Sequence, residues 1–215
     1  MSRNIEPRTS AGLPTPVPNN PYVTTIEPVT VTLRDGSSAE IRAVVPADRD
    51  RIVSLYAGMS PDSIRHRFFA AKCELSAAEV RFLMGDGGNH VVLAVVAGDR
   101  FLGSGRYVVL VDGGDTAEVA FEVADAEQGH GIGTLLLDQL ARVARTRGIT
   151  RFCAQVEADN LAMLDVFRHC GFAVRESRTQ GIYDVEMQIA DSEQHQSAVS
   201  TRAQVAAAAR ARREA

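Results

Sequence analysis

The chain has 215 residues, of which 45% are hydrophobic, enough for one sizeable domain with tails. A formal net charge of −4 argues against a general nucleic-acid binder, which carries a basic excess. No apolar run approaches the roughly 20 residues that a membrane span needs.

Residues 1–25 are rich in Pro, Asn, Ser and Thr and read as a disordered N-terminal arm. They lack the apolar stretch of a secretion signal, so a cytoplasmic location is expected. VTVTLRDG and AEIRAVV have strand character, with turn residues between them. PADRDRIVSLYAGM is helical, with Ile52, Leu55 and Tyr56 on one face. SPDSIRHRFFAA opens with a Ser-Pro helix start and packs Ile64, Phe68 and, as a further candidate, Phe69. LSAAEVRFLMG carries a capping box from Ser76 to Glu79. HVVLAVVAGDRFLGSGRYVVLVDGG gives two strands, and TAEVAFEVAD a third. A glycine loop follows, then a helix that closes at Gly148. TRFCAQVEA is a strand, and DNLAMLDVFRHCGF a helix capped by Asp159 or Asn160. AVRES and GIYDVEMQIA finish as a strand pair. From about Asp191 to Ala215 the chain is polar, then rich in Ala and Arg. It has helix propensity but no apolar stripe, and reads as a frayed tail. The three cysteines, Cys73, Cys153 and Cys170, lie far apart in apolar surroundings and read as reduced core thiols. The histidines are scattered with no metal-ligand spacing, so no metal is expected.

Two features carry chemistry. In TAEVAFEVAD, strand alternation puts Glu118, Ala120 and Glu122 on one face. Carboxylates on a small, apolar face lie in the open, pair with arginines, or line a cleft as a base whose ionisation an apolar site disfavours. The second feature is EQGHGIGTLLLDQL, where Gly129, Gly131 and Gly133 precede an amphipathic helix. Small residues at a helix start present several N–H groups to one point, which suits a phosphate. The Walker pattern is excluded, because Gly133 is followed by Thr134 with no lysine. The dinucleotide-binding fingerprint fails as well, since its last glycine is one position early.

The spacing that fits is Gln128, Gly131, Gly133, a Q-x-x-G-x-G motif between a strand and a helix. With DNLAMLDVFRHCGF downstream, it resembles the GNAT superfamily of N-acetyltransferases over residues 30–190. The resemblance implies an α/β (α+β) fold: a mixed, mostly antiparallel sheet, splayed at the acetyl-CoA site and flanked by helices. The GNAT domain would span 26–190, with 191–215 as the polar tail. The resemblance further implies that the pyrophosphate of acetyl-CoA sits on Gln128, Gly129, His130, Gly131, Ile132, Gly133 and Thr134. The pantetheine would pair with the strand near Phe121 and Val123, and Asn160 would reach its amides. Two positions depart from the family pattern. His130 stands where many members have Arg or Lys, so phosphate binding falls to amides and helix dipole. Phe167 stands where many have a tyrosine that protonates the leaving thiolate, and it has no proton to give.

SPDSIRHRFFAA, AEVAFEVADAEQGHGIG and the N-x-x-M-L segment look like the Pat-type protein lysine acetyltransferases. In that group a glutamate ten residues ahead of the loop glutamine is catalytic, and Glu118 has that spacing. The resemblance therefore implies acetyl transfer to protein lysines by direct attack, with Glu118 as general base. A small amine as acceptor and a catalytically weak acetyl-CoA sensor are the alternatives. Arg65, Arg67, Phe68 and Phe69 are expected on the acceptor side, where the arginines would suit acidic neighbours of the lysine. The regulatory domains often fused in that group are not expected, nor is effector control.

Overall fold

A computed structural model describes residues 26–69, 74–85, 89–110 and 114–215. The expected N-terminal arm and Cys73 lie outside the described residues. One eight-stranded sheet organises the chain, in the order β1 (Val29–Thr32), β2 (Ser38–Ala43), β3 (His90–Ala97), β4 (Arg100–Val109), β5 (Thr116–Val123), β6 (Arg151–Glu157), β8 (Ile182–Gln188), β7 (Ala173–Thr179). Every pairing is antiparallel except β5 with β6. This is the expected mixed sheet flanked by helices.

Two apolar clusters hold the layers together. Helix α4 (Ile132–Thr146) buries Ile132, Leu136, Leu137, Leu140, Ala141, Val143 and Ala144, the spacing of one helical face. With α5 (Leu161–Arg168) it joins the main core, where Ala117 and Val119 of β5 are buried and Phe121 packs. The other face carries α1 (Arg49–Ala57), α2 (Pro61–Phe68) and α3 (Ala77–Leu83), which meet around Ile52, Tyr56, Ile64 and Leu83. Both predicted caps are present: Ser60 accepts from the Ser63 N–H, and Ser76 forms its box with Glu79. Phe68 packs against this second cluster, whereas Phe69 turns outward, 42% exposed.

The C-terminal residues correct the reading of a frayed tail. Glu193–Glu214 form a continuous helix, α6, although only His195 and Ala206 in it are buried. Contacts of other kinds attach it. His195 stacks on Phe172 at 4.1 Å between ring centroids and meets Asp138 at 3.1 Å. Arg202 also reaches Asp138, at 2.8 Å, and Arg213 reaches Asp35 at 3.1 Å. Hydrophobic periodicity was silent here because the helix is attached by one ring stack and ion pairs.

Candidate active site

The β5–β6 pairing is short. Residues pair at Thr116 with Arg151, Ala117 with Phe152 and Glu118 with Cys153, and no further. Each strand nevertheless stays bonded to its other neighbour, β5 to β4 as far as Val123 and β6 to β8 as far as Glu157. The two half-sheets therefore part after Glu118 and Cys153, opening a gap between Val119–Val123 and Ala154–Glu157. Peptide groups on the gap edges have no partner strand, and such groups bond to whatever enters. Phe121 lies on the α4 side of the gap, 6.1 Å from the ring of Phe167, which is buried on α5. Asn160 caps α5, its Oδ1 accepting the Met163 N–H at 3.1 Å. Its side-chain NH2 donates to no acceptor among the described residues and is available to a ligand.

The glycine loop closes one end of the gap. Gly131 is the N-cap of α4 at φ 84°, and it supplies no side-chain capping bond. The first-turn N–H groups therefore have no side-chain cap among the described residues. A Cβ on Gly129 would meet nothing within 4 Å, and one on Gly131 only Arg34. The Gln128 side chain braces the loop instead of facing a ligand. Its amide donates to Ser63 at 3.3 Å and Asp125 at 3.2 Å. Asp125 in turn accepts from the Ser60 N–H and the Ser63 hydroxyl, both at 2.7 Å. Burial would raise the Asp125 pKa, but the Ser63 and Ser60 bonds prevail and lower it. One residue near the loop escaped sequence reasoning. The Arg34 N–H donates to the His130 carbonyl at 2.9 Å, which brings an exposed arginine beside a loop without Arg or Lys. Only the tertiary fold makes these two distant segments neighbours, so no local signal marks Arg34.

The two glutamates of β5 share a face but not a setting. Glu118 is exposed, and its carboxylate makes no hydrogen bond or ion pair with the described residues. Of the three settings left open by the sequence, Glu118 takes the first and stands in the open at the head of the gap, not in an apolar enclosure. Glu122 has 2% of its surface exposed. It accepts from Arg67 Nε at 2.9 Å and the Ser104 hydroxyl at 2.6 Å, with Arg106 at 3.6 Å. Burial works against the Arg67 charge, but Tyr56 and Glu122 beside it prevail and raise its pKa. Burial, with Glu122 adding to it, pushes the Tyr56 phenol well above its ordinary value.

Arg65 is also committed elsewhere. It bonds Glu157 and, at 2.7 Å, Asp159, so α2 bridges from Asp125 after β5 to the residues that follow β6. Its guanidinium lowers the Asp159 pKa. His66, Glu157 and Asp159 cluster as metal ligands do, but Arg65 already supplies their counter-charge. The two arginines expected to receive acidic neighbours of an acceptor are thus neutralised within the fold. The cysteines divide as well. Cys170 is buried, and burial pushes its thiol pKa up, as suits a core thiol. Cys153 is half-buried and faces the gap's head in register with Glu118, outside the core where it was expected.

Residues 51–172 match the acetyltransferase (GNAT) family. The chain belongs to that family. It is 30% identical over 148 residues to acetyltransferase Pat of Mycolicibacterium smegmatis, which covers 68% of this chain and 44% of that protein. It thus spans less than half the length of that relative. Among solved structures, the GNAT domain of S. lividans PAT is similar with a TM-score of 0.69 and 38% identity, covering 75% of this chain and 96% of that one. The yncA protein of Salmonella typhimurium, solved with its cofactor acetyl-CoA, shares the fold at TM-score 0.56 and 21% identity, covering 72% of this chain and 96% of that one. As a GNAT acetyltransferase, the chain uses acetyl-CoA as its acetyl donor. The parted strands and the uncapped start of α4 suit an extended molecule with an anionic end. No described helix is long and apolar enough to cross a membrane.

Proposed function

We propose that this GNAT acetyltransferase transfers the acetyl group of acetyl-CoA to the ε-amine of protein lysines, with Glu118 as general base. One observation carries the reading: a carboxylate with no partner among the described residues stands at the last paired position of β5, where the gap opens. The similarity to Pat supports the choice of acceptor.

The chemistry follows from the arrangement. A lysine ammonium, with an ordinary pKa near 10.4, cannot attack a thioester until it loses a proton. Glu118 takes that proton, directly or through one water. The amine nitrogen bonds to the thioester carbonyl carbon, and peptide N–H groups on the gap edge of β5 stabilise the resulting oxyanion. The C–S bond then breaks, and coenzyme A leaves as its thiolate. The nitrogen gives up its second proton to water as the amide forms; Phe167 gives none, so the thiolate leaves unaided, and Glu118 returns its proton to solvent. The pyrophosphate is held by the peptide groups of Gln128 to Thr134. The pantetheine is held by β5 around Phe121 and Val123 and by the Asn160 side chain, with the buried Phe167 backing Phe121 and not reaching the ligand, contrary to the expectation from the sequence. The cytoplasm, which supplies both acetyl-CoA and protein lysines, is the proposed location.

The test is incubation of the chain and acetyl-CoA with lysate from a strain lacking the gene, followed by acetyl-lysine mapping. Acetylation at a limited set of lysines, abolished by Glu118→Gln, is the expected result. Acetyl-CoA consumption on small amines, with no protein lysine modified, would overturn the choice of acceptor.

A further inference from the structure

Glu122 is a single carboxylate between two buried guanidiniums. Arg67 and Ser104 take up its oxygens, and Arg106 comes only to 3.6 Å. Arg106 is 7% exposed. It rests on the ring of Phe82, 5.0 Å from the centroid, and donates no hydrogen bond among the described residues. Its buried Nη1 faces Glu122 at ion-pair distance but forms no hydrogen bond among the described residues, and neither does the buried Tyr56 hydroxyl. Among the described residues the cluster thus holds two guanidiniums against one carboxylate, with hydrogen-bond donors left over. Buried cations are ordinarily paired, because removal from water is costly without an anion.

The position of Arg106 indicates where that anion comes from. It lies opposite Ala120 across the β4–β5 pair, and Glu118 lies opposite Val108 two residues along. Arg106 and Glu118 are therefore diagonal neighbours on one face of the sheet, a spacing of about 7–8 Å. We propose that Arg106 receives a carboxylate on the acceptor, so that the preferred amine sits near an acidic group. This deepens the proposed function, resting on Glu118 as the base that marks where the amine reacts. In an extended peptide, side chains two residues apart stand on one face about 7 Å apart. A Lys-X-Glu segment can thus present its amine to Glu118 and its carboxylate to Arg106. Free lysine offers the same pair of groups through its own α-carboxylate. The role foreseen for Arg65 passes to Arg106, which donates no hydrogen bond among the described residues.

The experiment compares two peptides differing only in Lys-X-Glu against Lys-X-Gln, at saturating acetyl-CoA. The glutamate peptide should be favoured ~10–100-fold in kcat/KM, chiefly through KM, as expected for hydrogen bonds between charged groups. Arg106→Gln should bring the ratio close to one, and Arg106→Lys should restore part of it. Equal kcat/KM for both peptides with the unaltered enzyme overturns the proposal, and that comparison needs no variant to fold. Persistence of the preference in a folded Arg106→Gln protein overturns it as well. If neither peptide is acetylated, the protein-lysine reading fails, and free lysine against its decarboxylated diamine decides for Arg106. A preference for lysine that Arg106→Gln abolishes supports the carboxylate site, and indifference overturns it. If nothing is turned over, calorimetric titration of both peptides into the enzyme loaded with coenzyme A decides. Equal affinities overturn the proposal, and tighter binding of the glutamate peptide supports it.

Discussion

Glu118 and Glu122 stand four residues apart on one face of one strand, and their partners separate their roles. Glu118 is exposed and has no partner among the described residues, so replacing it with Gln removes a proton acceptor and little else. Turnover should fall by about 10²–10⁴-fold near neutral pH, the usual effect of losing a general base. Acetyl-CoA affinity by calorimetry should stay close to wild type. Part of the loss should return as pH rises toward the lysine pKa, because more acceptor amine is then already neutral. Glu122→Gln should behave in the opposite sense. It leaves Arg67 and Arg106 buried without their carboxylate, and breaking such a pair costs about 3–5 kcal/mol. Chemical denaturation should record that loss, while turnover per folded molecule changes far less than in Glu118→Gln. A stable Glu122→Gln protein with the larger catalytic defect would move the base to Glu122. Phe167, 1% exposed, lies wholly within the core. Phe167→Tyr should therefore show a cost in stability and no new alkaline limb in the rate profile.

The gap exists because β5 and β6 pair at one end only, and the paired end has its own clamp. The Asp115 carbonyl accepts from the N–H groups of Thr150 and Arg151, and its carboxylate accepts from the Thr150 hydroxyl and, at 2.8 Å, from Arg151. The Thr150 and Arg151 bonds pull the Asp115 pKa down to about 2. A carboxylate whose pKa is lower in the folded state stabilises the fold above its unfolded pKa, near 4, and loses that contribution as pH falls toward the folded value. Asp115→Asn should melt at a lower temperature at pH 6, and the difference from wild type should shrink between pH 4 and pH 2. A difference independent of pH would mean that the carboxylate charge contributes nothing to the clamp. At the open end, Gly131 combines φ 84° with an uncapped helix start. A valine there would strain the backbone by roughly 1–2 kcal/mol and set a side chain where the pyrophosphate is expected. Gly131→Val should therefore weaken acetyl-CoA binding more than tenfold by calorimetry, about 1.4 kcal/mol or more. Unchanged affinity would place the phosphates elsewhere. Arg34→Ala should weaken binding as well, but more strongly at low salt, because an exposed charge is screened.

At the scale of the molecule, the legible part of the fold was the part whose signals are local. Alternation marked β5, the apolar face marked α4, and Ser60 and Ser76 marked the starts of α2 and α3. The glycine spacing placed the loop at the start of α4. What stayed hidden depends on distant segments meeting: Arg34 beside His130, Arg67 on Glu122, Arg65 across to Asp159, and the solvent exposure that separates Glu118 from Glu122. Helix α6 belongs to that hidden part, since its sequence carries no apolar stripe to reveal where it docks. Its outer ion pairs are exposed and stabilise little. Its seat depends on shape, above all at Gly36 in the β1–β2 turn. That glycine has φ 86°, and a Cβ there would lie 2.4 Å from the backbone nitrogen of Arg210. Side chains do not tolerate such an approach to backbone, so either the turn or the helix must move. Toward its N-terminus α6 is fixed by His195 on Phe172 and by Arg202 on Asp138, whereas near Arg210 it rests on Gly36 and on the surface pair of Arg213 with Asp35. Gly36→Ala should therefore lift the last turns of α6 from the sheet and leave the region of His195 docked. Hydrogen exchange should quicken for residues 206–214 and stay slow around 195–202. Stability should fall by roughly 1–2 kcal/mol, the strain of a left-handed non-glycine residue. Faster exchange along the whole of α6 would show that the glycine contact, and not the His195 stack, anchors the helix.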